Sequence, residues 1–206
     1  MARVTLIRPP SVSFPKSLSG HGPVPPIGVA YLAPVLRQGG HRVDVIDAPG
    51  EAIDEHHDFT TAIGTLRSTG LTPEAVVDRI PADVQIIGVT NMFLHEWPQV
   101  LQILELARAR FPEATLVVGG ENATAYWPWM FEETEVIDLV VTGEGEATAL
   151  ELADRVAAGL PLHAMAGVVL PKRQGQEAED GGLPTRLRQL SEIPEPAWDL
   201  LPDRKS

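Results

Sequence analysis

The residues best suited to chemistry in this chain are a glycine pair and the polar side chains around it. Thr115-Leu-Val-Val118 is apolar or β-branched, as a strand covered on both faces would be, and Gly119-Gly120 follows at its carboxyl end. Lacking Cβ atoms, these glycines let the backbone turn sharply and let a ligand lie against it. Glu121, Asn122 and Thr124 then open a helix, with Asn122 or Thr124 as its cap, and its free N–H groups favour a polar or anionic group. Thr90-Asn91-Met92 ends another apolar run and stands beside the glycine turn if the two strands are neighbours. Thr142-Gly143-Glu144 closes a further strand. Ligands of open α/β sheets bind at such carboxyl ends, although glycine pairs also make tight turns that bind nothing.

Other chemistries lack their residues. A dinucleotide fold needs G-x-G-x-x-G after the first strand, where this chain has Arg8-Pro9-Pro10. Gly143-Glu-Gly-Glu146 puts acidic side chains where a pyrophosphate would sit. A phospho-receiver needs an aspartate ending the third strand, and Thr90 stands there. The G-x-S-x-G turn of a hydrolase is missing. The absence of cysteine excludes disulfides, thiolate zinc sites, iron–sulfur clusters and cysteine nucleophiles within these residues. Asp54-Glu-His-His-Asp58 has metal-ligating types, but adjacent side chains point in different directions, so a solvated loop is the better reading. No catalytic set is assembled, which describes a binding module more than a self-sufficient enzyme.

Composition narrows the partners. With 206 residues, 44% of them hydrophobic, the chain can bury a full core plus an appendage. A net charge of −12 argues against nucleic acid and anionic lipid as partners. No apolar run is long enough for a membrane span, and the start reads as a first strand, so a cytoplasmic location is expected.

The elements that must position the glycines follow from periodicity. Residues 3–8, 42–47, 83–90, 115–118 and 139–142 read as strands; 28–38, 73–80, 97–111, 122–133 and 147–158 read as helices, Pro34 lying inside the first. Residues 11–26 form a proline-rich loop, and 48–72 read as polar and irregular. The expectation is a doubly wound α/β domain over residues 1–160, a flavodoxin-like five-stranded parallel sheet. Residues 161–206 form a short β or irregular extension and an extended, proline-rich linker, with Trp198, Leu200 and Leu201 laid on another surface.

Taken together, these segments resemble the cobalamin-binding domain that precedes the catalytic barrel of cobalamin-dependent radical S-adenosylmethionine enzymes. The likeness is carried by Pro9-Pro10, Pro25-Pro-Ile-Gly-Val-Ala-Tyr-Leu-Ala33, Gly39-Gly-His-Arg-Val-Asp-Val-Ile-Asp47 and Ile87-Gly-Val-Thr90. It continues through Val117-Val-Gly-Gly-Glu-Asn-Ala-Thr124, Val141-Thr-Gly-Glu-Gly-Glu146 and Ile193-Pro-Glu-Pro-Ala-Trp-Asp-Leu-Leu-Pro202. The resemblance implies cobalamin held over the strands' carboxyl ends, its dimethylbenzimidazole tail threading beside Thr90, Asn91, Gly119 and Gly120, for methyl transfer or related radical chemistry. Met92, Glu121, Asn122, Thr142, Gly143 and Glu144 complete the implied site, and Gly120→Trp is the change expected to block the tail.

Two departures qualify it. The D-x-H-x-x-G motif that supplies an axial histidine elsewhere is absent, which implies base-off cobalamin; His21 and His95 are lone candidates. With no cysteine, S-adenosylmethionine and the iron–sulfur cluster would belong to a barrel in cis or trans, and the chain alone is expected to be inactive. Tyr31, Trp97, Trp127 and Trp129 are candidates for the cofactor site or for ordinary packing, and Trp198 for a domain junction. The rival readings are a cofactor-free flavodoxin-like interaction or sensory module, and a nucleotide- or flavin-binding protein.

Overall fold

The computed structural model describes residues 1–15, 24–172, 178–182, 184 and 194–202. In chain order the elements are β1 (Arg3–Arg8), β2 (Ser11–Ser13), α1 (Ile27–Gln38), β3 (Arg42–Asp47), α2 (Ala48–Glu51), β4 (His56–Thr61) and β5 (Gly64–Thr69). Then come α3 (Pro73–Asp78), β6 (Ile86–Thr90), α4 (Trp97–Arg110), β7 (Thr115–Gly119), α5 (Glu121–Glu133), β8 (Leu139–Val141), α6 (Glu146–Ala158), β9 (Val168–Leu170) and β10 (Glu179–Asp180).

Five parallel strands lie in the order β3-β1-β6-β7-β8, the flavodoxin-like arrangement that the sequence predicts. Beyond β8 the same sheet continues antiparallel through β9 and β10. The chain leaves β1 on one side to make β3 and returns on the other to make β6. That reversal puts a crevice at the carboxyl ends of β1 and β6, where open sheets bind ligands.

Side-chain alternation divides the core into two layers. Ile7, Ile87, Val89, Leu116, Val118 and Val140 face one way, against Val76 of α3, Val100, Ile103 and Leu104 of α4 and Met130 of α5. Val4, Leu6, Ile86, Val117, Leu139 and Val141 face the other way, against Val29, Ala33 and Leu36 of α1 and Leu152 and Ala153 of α6. By the same parity Gly88, paired with Leu6 and Val117, faces α1 and α6 but contributes no side chain.

The start of α3 is set locally. Thr72 caps α3, its Oγ1 accepting from Ala75 N at 3.2 Å, with Pro73 at the first helical position. The cap expected of Asn122 or Thr124 is not made. Gly120 is the N-cap of α5, and both residues lie inside the helix. The reason is the backbone at Gly120, whose φ of +107° turns the strand into the helix two residues earlier than a side-chain cap would.

Residues 48–72 are not irregular. They hold α2 and a β4–β5 hairpin, and β2 pairs with β5 to complete a three-stranded antiparallel sheet. Threonines supply strand propensity, and Thr61 Oγ1 donates to Gly64 O at 3.0 Å across the turn. Little of it is apolar and buried beyond Leu66, so alternation gave no warning. The carboxyl-terminal segment, read from the sequence as laid on another surface through Trp198, Leu200 and Leu201, meets α1 of its own domain. It turns back on α1, with Ala197 N donating to Ala30 O at 2.8 Å, Arg37 paired to Asp199 at 2.8 Å, and Leu200 against the α1–α6 core. Trp198 is half exposed. Residues 185–193 of this stretch lie outside the described residues.

Candidate functional site

A cavity of about 510 Å³ lies between the sheet and the two helices α1 and α6. It reaches from Val4 and Ile86, near the amino ends of β1 and β6, to Thr90 and Gly119 at the carboxyl ends. Along β6 that is roughly 13 Å, from four strand steps of ~3.3 Å. The space exists because residues facing it are small: Gly88 in mid-strand, Gly28 on α1 and Ala149 on α6. A Cβ on Gly88 would sit 3.3 Å from Leu6 Cδ2, inside the gap. The deep wall is Val4, Leu6, Leu36, Ile86, Val117 and Leu152, and among the described residues polar side chains line it only toward the mouth, at Thr90, Glu121, Thr124, Glu144 and Glu146.

The mouth is built by three chain turns. Thr90, Met92, Gly119, Gly120, Glu121, Gly143 and Glu144 all border the cavity. The Thr124 hydroxyl ties two of the turns together, donating to Gly120 O and accepting from Gly143 N, each at 3.0 Å. Asn91 and Asn122 are drawn together but buried behind the mouth. Asn122 Nδ2 donates to Asn91 Oδ1 at 2.5 Å, Asn91 Nδ2 donates to Phe93 O at 3.1 Å, and Asn122 N donates to Asn91 O at 3.2 Å. They pin β6 to the start of α5. Thr142 is tied to the turn before β9, its N–H and its Oγ1 both donating to Gly167 O, at 2.9 and 3.4 Å.

Next to the mouth, Met92, Phe93 and Leu94 are about half exposed, an apolar rim on the turn after β6. Within that turn burial raises the Glu96 carboxyl to about 7, against the backbone hydrogen bonds of Phe93 and Met92 and the charge of Arg8. Its folded value exceeds the ordinary 4.5, so the stabilisation of the neutral acid is present below 4.5 and is lost as pH rises through about 7. Glu96→Gln is expected to remove that component of the pH dependence. Thermal melts of both proteins between those pH values check it, and parallel profiles would refute it.

The remaining sequence candidates fall elsewhere. Trp97 is buried under α5, its Nε1 donating to Glu133 at 2.9 Å and its ring tilted against Trp129. Trp127 packs on Phe131, and Tyr31 is half-buried on α1. His95 stacks on Phe93, while His21 lies outside the described residues. In the 54–58 cluster, His56 contacts Thr69 Oγ1 at 3.0 Å and Asp58 takes two hydrogen bonds from Arg67. Among the described residues no group of three or more metal-ligating side chains converges. A wider depression of about 850 Å³ lies at the opposite end of the sheet. Its Arg108 is spent on Pro112 O, Ala114 O, Val136 O and Asp138, which closes a loop network.

Sequence reasoning located the mouth and missed the cavity beneath it, including Gly28, Val29, Leu32, Leu36, Gly88, Ala149 and Leu152. One signal was available. A glycine inside an otherwise apolar strand, Ile86-Ile-Gly-Val-Thr90, marks a place where something approaches the backbone closely.

Comparison with known proteins gives consistent results. The B12 binding domain family matches residues 18–153. An uncharacterized methyltransferase of Pyrococcus horikoshii is 28% identical over 200 residues, which is 97% of this chain and 39% of the relative. Hopanoid C-3 methylase of Methylococcus capsulatus is 28% identical over 145 residues, 70% of this chain and 24% of that protein. The cobalamin-dependent S-adenosylmethionine radical enzyme OxsB, solved with aqua-cobalamin and S-adenosylmethionine, superposes with a TM-score of 0.72 at 18% identity, covering 97% of this chain and 24% of that one. TsrM from Kitasatospora setae, a radical S-adenosylmethionine methyltransferase solved with cobalamin and a [4Fe-4S] cluster, gives 0.65 at 18% identity, covering 95% and 31%. The chain thus spans between a quarter and two fifths of the length of these relatives.

Proposed function

The chain belongs to the B12 binding domain family, and from that premise we propose that it is the cobalamin-holding part of a cobalamin-dependent radical S-adenosylmethionine enzyme of methyltransferase type. The observation that carries the reading is the cavity beneath the glycine mouth, which fits the group on two counts. Its depth is apolar and its width depends on Gly88, so an aromatic tail could slide between sheet and helices where any side chain would block it. Its mouth is lined by Gly119, Gly120 and Gly143, and Gly119 leaves room for a broad ring, since a Cβ there would meet nothing closer than Val141 O at 3.7 Å.

In this reading each residue has a task. Leu6, Leu36, Val117 and Leu152 exclude water from the tail. Glu121, Glu144 and Glu146 accept hydrogen bonds from the amide side chains at the ring's edge. Thr124 holds two of the mouth's turns at a set separation. Asn91, Asn122 and Thr142 act from behind, by fixing those turns. The cobalt of a bound corrin supplies methyl-carrying and one-electron chemistry. The sequence lacks the D-x-H-x-x-G motif, which supports a base-off cofactor with no histidine from such a motif. S-adenosylmethionine and the cluster are assigned to a barrel in cis or trans, since the chain has no cysteine to ligate iron. Residues 161–206, whose described part adds β9 and β10 to the sheet and lies back on α1, lead toward it. No described helix is long and apolar enough to cross a membrane, and the charge of −12 disfavours nucleic acid; the reading includes a cytoplasmic location.

Mixing the purified chain with hydroxocobalamin and desalting it tests this directly. Corrin co-eluting at near-unit stoichiometry, with the bands of the base-off form, is the expected result. A colourless but folded protein would overturn the reading and favour a cofactor-free interaction module.

A further inference from the structure

We infer that the cavity selects among cobamides by the chemistry of their lower base, accepting an apolar benzimidazole and rejecting purines. The inference rests on the reading above, that the tail enters this cavity. Its basis is the position of polar groups along the cavity. The deep wall is Val4, Leu6, Leu36, Ile86, Val117 and Leu152, none with a side-chain donor or acceptor. The backbone there is already committed, because Val4, Ile86 and Val117 lie in the parallel ladder of β1, β6 and β7 and Leu36 and Leu152 lie within helices. Among the described residues, side-chain hydroxyls and carboxylates begin only at Thr90 and the mouth.

Dimethylbenzimidazole carries its nitrogens in the five-membered ring and presents a methylated hydrocarbon edge. A purine such as adenine has ring nitrogens and an exocyclic amine on the corresponding edge. Those groups would give up water and find no partner among these residues. Each polar group buried unpaired lowers affinity by roughly 10- to 100-fold. The discrimination is therefore by desolvation and needs no specific contact.

Titration of the whole chain with hydroxocobalamin, its adenine-based analogue and tail-less cobinamide, followed by tryptophan fluorescence and retained corrin absorbance, tests the inference. The adenine cobamide is expected to bind at least about tenfold more weakly than hydroxocobalamin, and no better than cobinamide. Leu36→Asn or Leu152→Asn, which places an amide in the deep wall, is expected to narrow the ratio; should neither variant fold, the wild-type ratio decides alone. Equal affinity of the two complete cobamides, within about twofold, would overturn base selection while leaving the cofactor reading intact. Binding of none of the three corrins would overturn both.

Discussion

Gly88→Leu is expected to give a folded protein from which corrin washes out on desalting. The glycine lies in the middle of β6 and faces α1 and α6, so a leucine there projects into the cavity and fills it with hydrocarbon. A Cβ at this position meets only Leu6 Cδ2, at 3.3 Å, the tip of a flexible side chain, and the strand prefers a side chain to glycine. The fold should therefore survive, at a cost of about 1–3 kcal/mol if the cavity is overpacked. Denying an aromatic tail its burial removes about 2–3 kcal/mol, on the order of a hundredfold in affinity, before any clash. Far-UV circular dichroism and retained absorbance measure the two effects separately. Full retention by folded Gly88→Leu would show that the cavity is not the tail's place. Gly119→Trp is the companion at the mouth, where a Cβ would lie 3.7 Å from Val141 O. Gly120→Trp, which the sequence suggests, is a poor probe, because its Cβ would fall 2.7 Å from Asn91 O at a φ of +107°. It would disturb the fold whether or not a ligand binds.

Asn91→Leu is expected to lower stability by about 3 kcal/mol, or roughly 6–12 °C in melting temperature for a domain of this size. Asn91 is fully buried, and it both accepts from Asn122 Nδ2 and donates to Phe93 O. Leucine removes both groups and strands the Asn122 amide and the Phe93 carbonyl away from water. Replacing Asn122 as well should recover part of the loss, since an apolar pair leaves one fewer polar group unsatisfied. Chemical denaturation of the two single variants and the double variant gives the coupling. Strict additivity, or a loss below about 0.5 kcal/mol for Asn91→Leu, would show that the pair does not hold β6 to α5.

The parts of the fold legible in the sequence were those in which local pattern and final environment agree. Strands buried on both faces must be apolar throughout, so Ile86, Ile87, Leu116, Val117 and Val118 announced themselves as runs. Helix periodicity identified α4, whose Val100, Ile103, Leu104 and Ala107 are buried together, and Thr72-Pro73 marked the start of α3. The 48–72 stretch hid its hairpin because the fold does not bury much of it. Its β5 is ordered through β2, more than fifty residues away, by backbone hydrogen bonds that leave no mark on composition.

The chain's residues by themselves determined the parallel α/β architecture and the position of the mouth. A strand must end where glycine ends it, and the carboxyl ends of parallel strands share one edge of the sheet. Tertiary structure alone decided the cavity. Its walls come from Val4, Leu36, Ile86 and Leu152, brought together from nearly 150 residues apart, and its defining property is a missing side chain at Gly88. A sequence specifies which side chains exist, whereas an empty volume depends on how far two helices stand from a sheet. The same packing brought Asn91 and Asn122, both read from the sequence as cofactor contacts, into a buried hydrogen-bonded pair behind the mouth.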